Sequence, residues 1–140
     1  MRLYLAHPID SRKTVRAWEL RVEQETGIEL FNPFYDTHRE DIEELDRGFR
    51  RKWDVDSDVI VRRDFRGIDE SDGIVAVIDG SQSYGTIFEV ARTHCAGDSV
   101  YLIVTNGAEN HPWLRFYSDR IFTSFEQFEQ FVKDTLCRGS

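Results

Sequence analysis

Six consecutive residues, Gly73-Ile-Val-Ala-Val-Ile78, limit the fold of this chain more than any other stretch. They are apolar at odd and even positions alike, which predicts a strand buried on both faces, inside a parallel sheet covered by helices on each side. Asp79-Gly80, a polar loop Ser81-Gln82-Ser83-Tyr84 and Gly85-Thr86 follow, after which Ile87, Val90, Ala91 and Cys95 recur at helical spacing. A buried strand that passes through a polar loop into a helix is where open α/β sheets bind ligands, at the carboxyl ends of their strands. Glu89, in the first turn of the predicted helix, is the leading candidate for chemistry. Thr86-Ile-Phe-Glu89 also fits a capping box, in which a Thr and a Glu three residues on satisfy each other's backbone donors. A carboxylate there gains roughly 0.3–1 kcal/mol from the helix dipole. Spacing alone does not separate a cap from a reactive group.

The flanking segments supply the rest of a layered sheet. Residues 2–6 predict a first strand that breaks at His7-Pro8, since Pro8 cannot donate to a ladder. Asp10 or Ser11 caps a predicted helix carrying Val15, Trp18 and Val22 inward and stopping at Gly27. Residues 28–31 form a second strand ended by Asn32-Pro33, so the two strands are joined by a right-handed parallel crossover. Tyr35 to His38 reads as loop. Glu40 to Lys52 reads as a polar helix with Ile42, Leu45 and Phe49 on one side, and 59–68 as a helix with Ile60, Val61, Phe65 and Ile68 inward. Residues 100–104 predict a fourth buried strand and 106–113 a loop. Arg120 to Phe122 reads as a short fifth strand. Ser124-Phe-Glu-Gln127 is a second capping box, opening a last helix with Phe125, Phe128 and Val132 on its core face. The expected fold is one α/β domain over 1–140, a three-layer sandwich with a five-stranded parallel sheet in flavodoxin-like order.

Composition narrows the function classes. Aromatics make up 13% of the 140 residues, which argues against disorder. A net charge of −8 argues against a general nucleic-acid-binding surface, which needs a basic face, yet allows one nucleotide held by local donors. Cys95 and Cys137 are too few for a disulfide scaffold and lack metal-ligand spacing. With no signal peptide and no long apolar span, a cytoplasmic protein with no membrane partner is expected. No metal cluster, P-loop or dinucleotide fingerprint is present, so no cofactor is expected.

Glu89, Asp64 and Asp79 can all reach the carboxyl edge of such a sheet, and Tyr4 on the first strand neighbours the central one. A carboxylate beside a tyrosine hydroxyl and a second acid suits displacement at a sugar carbon, one group attacking the anomeric centre while another handles the leaving group's proton. His94 and Cys95 are adjacent along a helix and face different directions, which discounts Cys-His catalysis.

Tyr-Leu-Ala-His-Pro-Ile at 4–9, Arg-Arg-Asp-Phe-Arg-Gly-Ile at 62–68, Asp-Gly-Ile-Val-Ala-Val-Ile-Asp-Gly at 72–80 and Ser-Tyr-Gly-Thr-Ile-Phe-Glu at 83–89 resemble the nucleoside 2-deoxyribosyltransferase superfamily. The resemblance covers most of the chain and implies a nucleoside- or nucleotide-processing enzyme. It implies Glu89 as the nucleophile of a glycosyl-enzyme intermediate, Tyr4 as the group orienting it, and Asp64 as an assistant at the base or sugar. The family's transferases carry Asp where this chain has Ser83, two residues before Gly85. The superfamily's nucleoside 5′-monophosphate N-glycosidases carry a serine that contacts phosphate. A hydroxyl beside a helix N-terminus suits an anion that an Asp would repel, so Ser83 favours nucleotide hydrolysis; a loop serine in an ST-turn is the other reading. His7 stands where the family has a small residue, either adding a phosphate donor or narrowing the pocket.

Ser11 and Arg12 are further phosphate-side candidates, with Arg12 equally suited to solvent. Gly85 and Asp79 line the expected site, and Trp113 offers either an aromatic wall for the base or a core side chain. A homodimer or higher homo-oligomer is implied, with Asp119 and Arg120 in the segment that a neighbouring subunit contributes in the family. Three functions follow: N-glycosidase, 2′-deoxyribosyltransferase exchanging bases, or a non-catalytic nucleotide-binding sensor.

Overall fold

A computed structural model of the protein describes residues 1–36 and 57–136. The helix predicted over Glu40 to Lys52, the end of the loop before it and Cys137 lie outside those residues. Strand β1 (Arg2–Ala6) leads through a single 3₁₀ turn (Ile9–Ser11) into helix α1 (Arg12–Thr26), followed by β2 (Glu29–Phe31). Then come α2 (Ser57–Asp69), β3 (Gly73–Ile78), α3 (Tyr84–Cys95), β4 (Ser99–Val104), α4 (Pro112–Tyr117), β5 (Arg120–Phe122) and α5 (Phe125–Phe131). The five strands form one sheet in the order β2-β1-β3-β4-β5, and every pairing is parallel. This is the expected α/β sandwich of flavodoxin-like order. No helix among the described residues is long and apolar enough to cross a membrane.

Strand alternation divides the core in two. Leu3, Leu5, Leu30, Val75, Val77, Tyr101, Ile103 and Phe122 face one side, where Val15, Trp18 and Val22 of α1 and Phe128 of α5 cover them. Tyr4, Ala6, Ile74, Ala76, Val100, Leu102 and Val104 face the other, against Phe65 and Ile68 of α2, Val90 of α3, and Leu114 and Tyr117 of α4. β3 is buried from Gly73 to Val77, as its unbroken apolar run requires. Gly27 ends α1 in the left-handed conformation (φ 78°), with its N–H on the Glu23 carbonyl, a conformation that costs glycine no Cβ clash. Ser124 caps α5 by accepting from Gln127 N at 3.2 Å, while Gln127 Oε1 accepts from Thr123 N at 2.9 Å, one residue earlier than the predicted box.

Three details depart from the sequence reading. α4 lies partly inside the predicted loop, opened by Pro112 at its first position and by His111 Nδ1, which accepts from Trp113 N at 3.3 Å. Val61 is 45% exposed, so α2 does not turn it inward. On α3 the buried residues are Thr86, Glu89, Val90 and Thr93, whereas Ile87 and Cys95 are exposed.

Candidate active site

Tyr4 sits in the middle of β1, fully buried, with its ring 5.8 Å from that of Phe31. α2 comes close enough that a Cβ on Gly67 would lie 3.2 Å from Tyr4 Cε2 and 2.6 Å from Phe31 Cε1, so only glycine fits there. The Tyr4 hydroxyl donates to Glu89 Oε2 across 85 positions of sequence. Glu89 is itself only 8% exposed. A hydroxyl bonded to a carboxylate is worth about 1.5–3 kcal/mol, and a carboxylate at this depth demands such a partner.

The cap predicted between Thr86 and Glu89 does not form. α3 starts three residues earlier, with Ser83 as its N-cap, whose Oγ accepts from Thr86 N at 3.3 Å and lies 2.7 Å from Thr86 Oγ1. Glu89 is therefore in the second turn of α3, too far along to reach the helix end, and its carboxylate points into the protein. Thr93 holds the same turn by donating to the Glu89 carbonyl at 2.9 Å. Gly85 lies beside the carboxylate, where a Cβ would stand 3.9 Å from Oε1, an ordinary van der Waals contact. Asp64 is half-buried on α2, one turn before Gly67 and on the same side of that helix.

Asp79 ties the two loops at the strand ends together. Its carboxylate accepts from the Ser11 hydroxyl and, at 2.9 Å, from Ser81 N. Burial works against its charge, but these bonds outweigh burial and hold its carboxyl below the usual range.

No protein-family model matches the sequence, and no curated protein matches it either. Solved structures do. A conserved protein from Enterococcus faecalis V583 is similar over 96% of this chain and 98% of its own, at 18% identity and a TM-score of 0.73. A 2-deoxyribosyltransferase from the psychrotolerant bacterium Bacillus psychrosaccharolyticus matches 92% of this chain and 90% of its own, at 19% identity and a TM-score of 0.67. A CMP N-glycosidase of Clostridium botulinum matches 93% and 95%, at 20% identity and a TM-score of 0.59. The chain has the 2-deoxyribosyltransferase fold.

On that 2-deoxyribosyltransferase fold the other expected residues take varied places. His7 is buried, its Nδ1 3.0 Å from the Pro8 carbonyl and its Nε2 3.1 Å from Asn32 Oδ1, with Phe34 against its ring. Both nitrogens are engaged within the protein. Burial lowers the His7 pKa, against the bonds to Pro8 and Asn32 and the charge of Asp79, while the Arg12 charge acts with burial. The Ser11 proton is committed to Asp79, and Arg12 folds back so that Nη1 donates to the Ile9 carbonyl at 2.9 Å. Trp113 is 68% exposed at the start of α4, stacked on Tyr117, so it is not a core side chain. The Asp119 carboxylate accepts from Val100 N at 2.7 Å, and Arg120 lies over the Phe131 ring.

Two buried residues went unread in the sequence. Asn32 Nδ2 donates to Glu19 Oε1 at 2.8 Å, linking His7 to α1, and Arg16 Nη1 stands 3.1 Å from Glu19 Oε2. Burial pushes the Glu19 carboxyl up to about 7, opposed by Asn32 and by the Arg16 charge. The available signal was an acid between Trp18 and Val22 on the apolar side of a helix; Asn32 carried only the appearance of a turn residue before Pro33.

Proposed function

We propose that this chain is a member of the nucleoside 2-deoxyribosyltransferase superfamily that cleaves the N-glycosidic bond of a nucleoside 5′-monophosphate. The observation that supports this reading is the buried hydrogen bond from Tyr4 to Glu89, in the second turn of the helix that follows the central strand. Tyr4 restricts the carboxylate to one orientation, and a Glu89 carboxylate oxygen is the nucleophile. That oxygen attacks C1′, the C1′–N bond breaks with its electrons going to the base, and a glycosyl ester forms on Glu89. Asp64 assists departure by supplying a proton to the base or by holding the sugar. Water then attacks C1′, the ester bond breaks, the Glu89 carboxylate returns, and the proton lost by water balances the one taken up by the base.

Ser83 favours a phosphorylated substrate. As the N-cap of α3 it stands at the positive end of a helix dipole and carries no charge of its own. Ser83→Asp preserves a good cap, so the fold should hold while phosphorylated substrates lose rate more than unphosphorylated ones. Equal loss on both would remove the phosphate-contact argument. The fold shared with a 2-deoxyribosyltransferase favours a second reading, in which a free base replaces water as acceptor.

A panel of nucleoside 5′-monophosphates and nucleosides, with and without a second base and followed by chromatography, separates these readings. Free base without an acceptor supports hydrolysis. Release that requires an acceptor establishes transfer, and tight binding without turnover leaves a sensor.

A further inference from the structure

The two ring nitrogens of His7 face two oxygens, and neither oxygen has a hydrogen to give. Nδ1 stands 3.0 Å from the Pro8 carbonyl, which can only accept. Nε2 stands 3.1 Å from Asn32 Oδ1. The orientation of that amide is set by its other neighbours: Oδ1 accepts from Phe34 N at 3.0 Å, and Nδ2 donates to Glu19 Oε1 at 2.8 Å. Turning the amide over would set Nδ2 against the Phe34 N–H, donor to donor. Both His7 contacts are therefore hydrogen bonds only when the ring carries two protons. A neutral imidazole has one N–H, so one contact then sets a lone pair against an oxygen. The ring is only 3% exposed, with that of Phe34 4.8 Å away, and has little water to turn to. Each acceptor keeps a backbone donor of its own, Ser11 N on Pro8 at 3.1 Å and Phe34 N on Asn32, so neither is orphaned when the ring lets go.

We propose that His7 is a proton-operated latch: with two protons it ties the turn after β1 to the segment after β2, and with one it releases one of them. The two parts that it joins are anchored separately. On one side the turn closes through Ser11 N on Pro8, and the Ser11 hydroxyl donates to Asp79 at the end of β3. On the other, Asn32 is held by its own N–H on Asp36 Oδ2 at 2.8 Å and by Glu19 of α1. Charges from each of these elements bear on the ring. Burial, the strongest influence, holds the His7 pKa below its ordinary 6.5, while Asp79 raises it and Arg12 lowers it. Behind Asn32, Glu19 is faced by Arg16 at 3.1 Å, and Arg16 stands 3.8 Å from Asp36. The latch is thus closed on the acid side of neutrality and open above it. Ser11 and Arg12 ride on the latched turn, so closing it fixes the phosphate side of the site. That consequence rests on the reaction proposed above; the latch itself does not.

Nitrogen NMR of the isotope-labelled full chain, titrated from about pH 8 to about pH 4.5, reads the ring directly. The His7 signals are assigned through its backbone, or by their loss in His7→Gln. Below a midpoint under pH 6.5 both ring nitrogens should carry protons, and above it one should move far downfield as its proton leaves. The backbone amides of Ser11 and Phe34 should shift with the same midpoint in wild type and lose that transition in His7→Gln. Glu19→Gln keeps an acceptor for Asn32 and should retain the transition. A His7 that does not titrate, or amides whose transition vanishes in Glu19→Gln, overturns the latch. On the nucleotide that turns over, the KM of His7→Gln should exceed that of wild type about two- to tenfold below the midpoint, the worth of one hydrogen bond, and match it above. Ionisation of the nucleotide's own phosphate is common to both chains and cancels. A KM ratio that does not change with pH breaks the link to the substrate site, and the NMR result stands whether or not base is released.

Discussion

The two faces of the sheet are covered by helices built on opposite plans. On one, α1 and α5 turn aromatic and aliphatic side chains inward, with Trp18 edge-on to Phe125 and Phe128 against Phe122 and Tyr101. The Trp18 N–H is met by Glu129 Oε1 at 2.8 Å. On the other face α3 turns Thr86, Glu89 and Thr93 inward and leaves Tyr84, Ile87 and Phe88 outside. The first plan is that of a helix whose work is burial. The second sacrifices apolar burial under α3 to hold a carboxylate against Tyr4, and leaves apolar residues on its outer side.

The largest effect should separate the inward polar residues from everything else. Glu89→Ala should cut base release by at least about a thousandfold, as loss of a nucleophile does, in a chain that still melts cooperatively. Base release near the wild-type rate would return Glu89 to a structural role. Next, Phe128→Ala should cost about 3–5 kcal/mol in urea unfolding. Phe88→Ala, at a 66% exposed position, should stay within about 0.5 kcal/mol of wild type. Similar losses at both positions would erase the contrast between the faces.

Tyr4→Phe should slow base release by about ten- to a hundredfold, the worth of one hydrogen bond to a charged group, mostly in kcat. An unchanged rate would mean the hydroxyl does not orient the nucleophile. A pH-dependent effect is expected at Glu19, the buried acid of the other face. An acid whose pKa rises from 4.5 unfolded to about 7 folded binds more protons in the folded state between those values, so stability falls as pH rises through that window. His7, with a lowered pKa, acts in the opposite direction below pH 6.5, so the difference between wild type and Glu19→Gln isolates Glu19. Melting profiles should show the Gln variant gaining on wild type from pH 4.5 to 7, and parallel profiles would rule out the raised pKa.

Much of the fold could be read from local pattern. β3 and β5 lie where apolar runs placed them, Gly27 ends α1, and Ser124 caps α5. α4 was hidden because six residues carry too little periodicity to outweigh the turn signals of Asn106-Gly107 and His111-Pro112. The candidate site was legible as residue types, Tyr4 and Glu89 above all. The partners of Ser11 and His7 were not, since Asp79 and Asn32 lie far along the chain and polar side chains follow no period.

Sequence by itself determined the order of strands and helices, because turn chemistry, caps and apolar period act over a few residues. Only the tertiary structure decided which side of α3 faces the sheet. That helix carries apolar residues all round, and its rotation follows from contacts with Tyr4, α2 and α4 that no local rule contains. The same rotation buries the Glu89 carboxylate against a tyrosine, while the earlier start of α3 at Ser83 carries it away from the helix end.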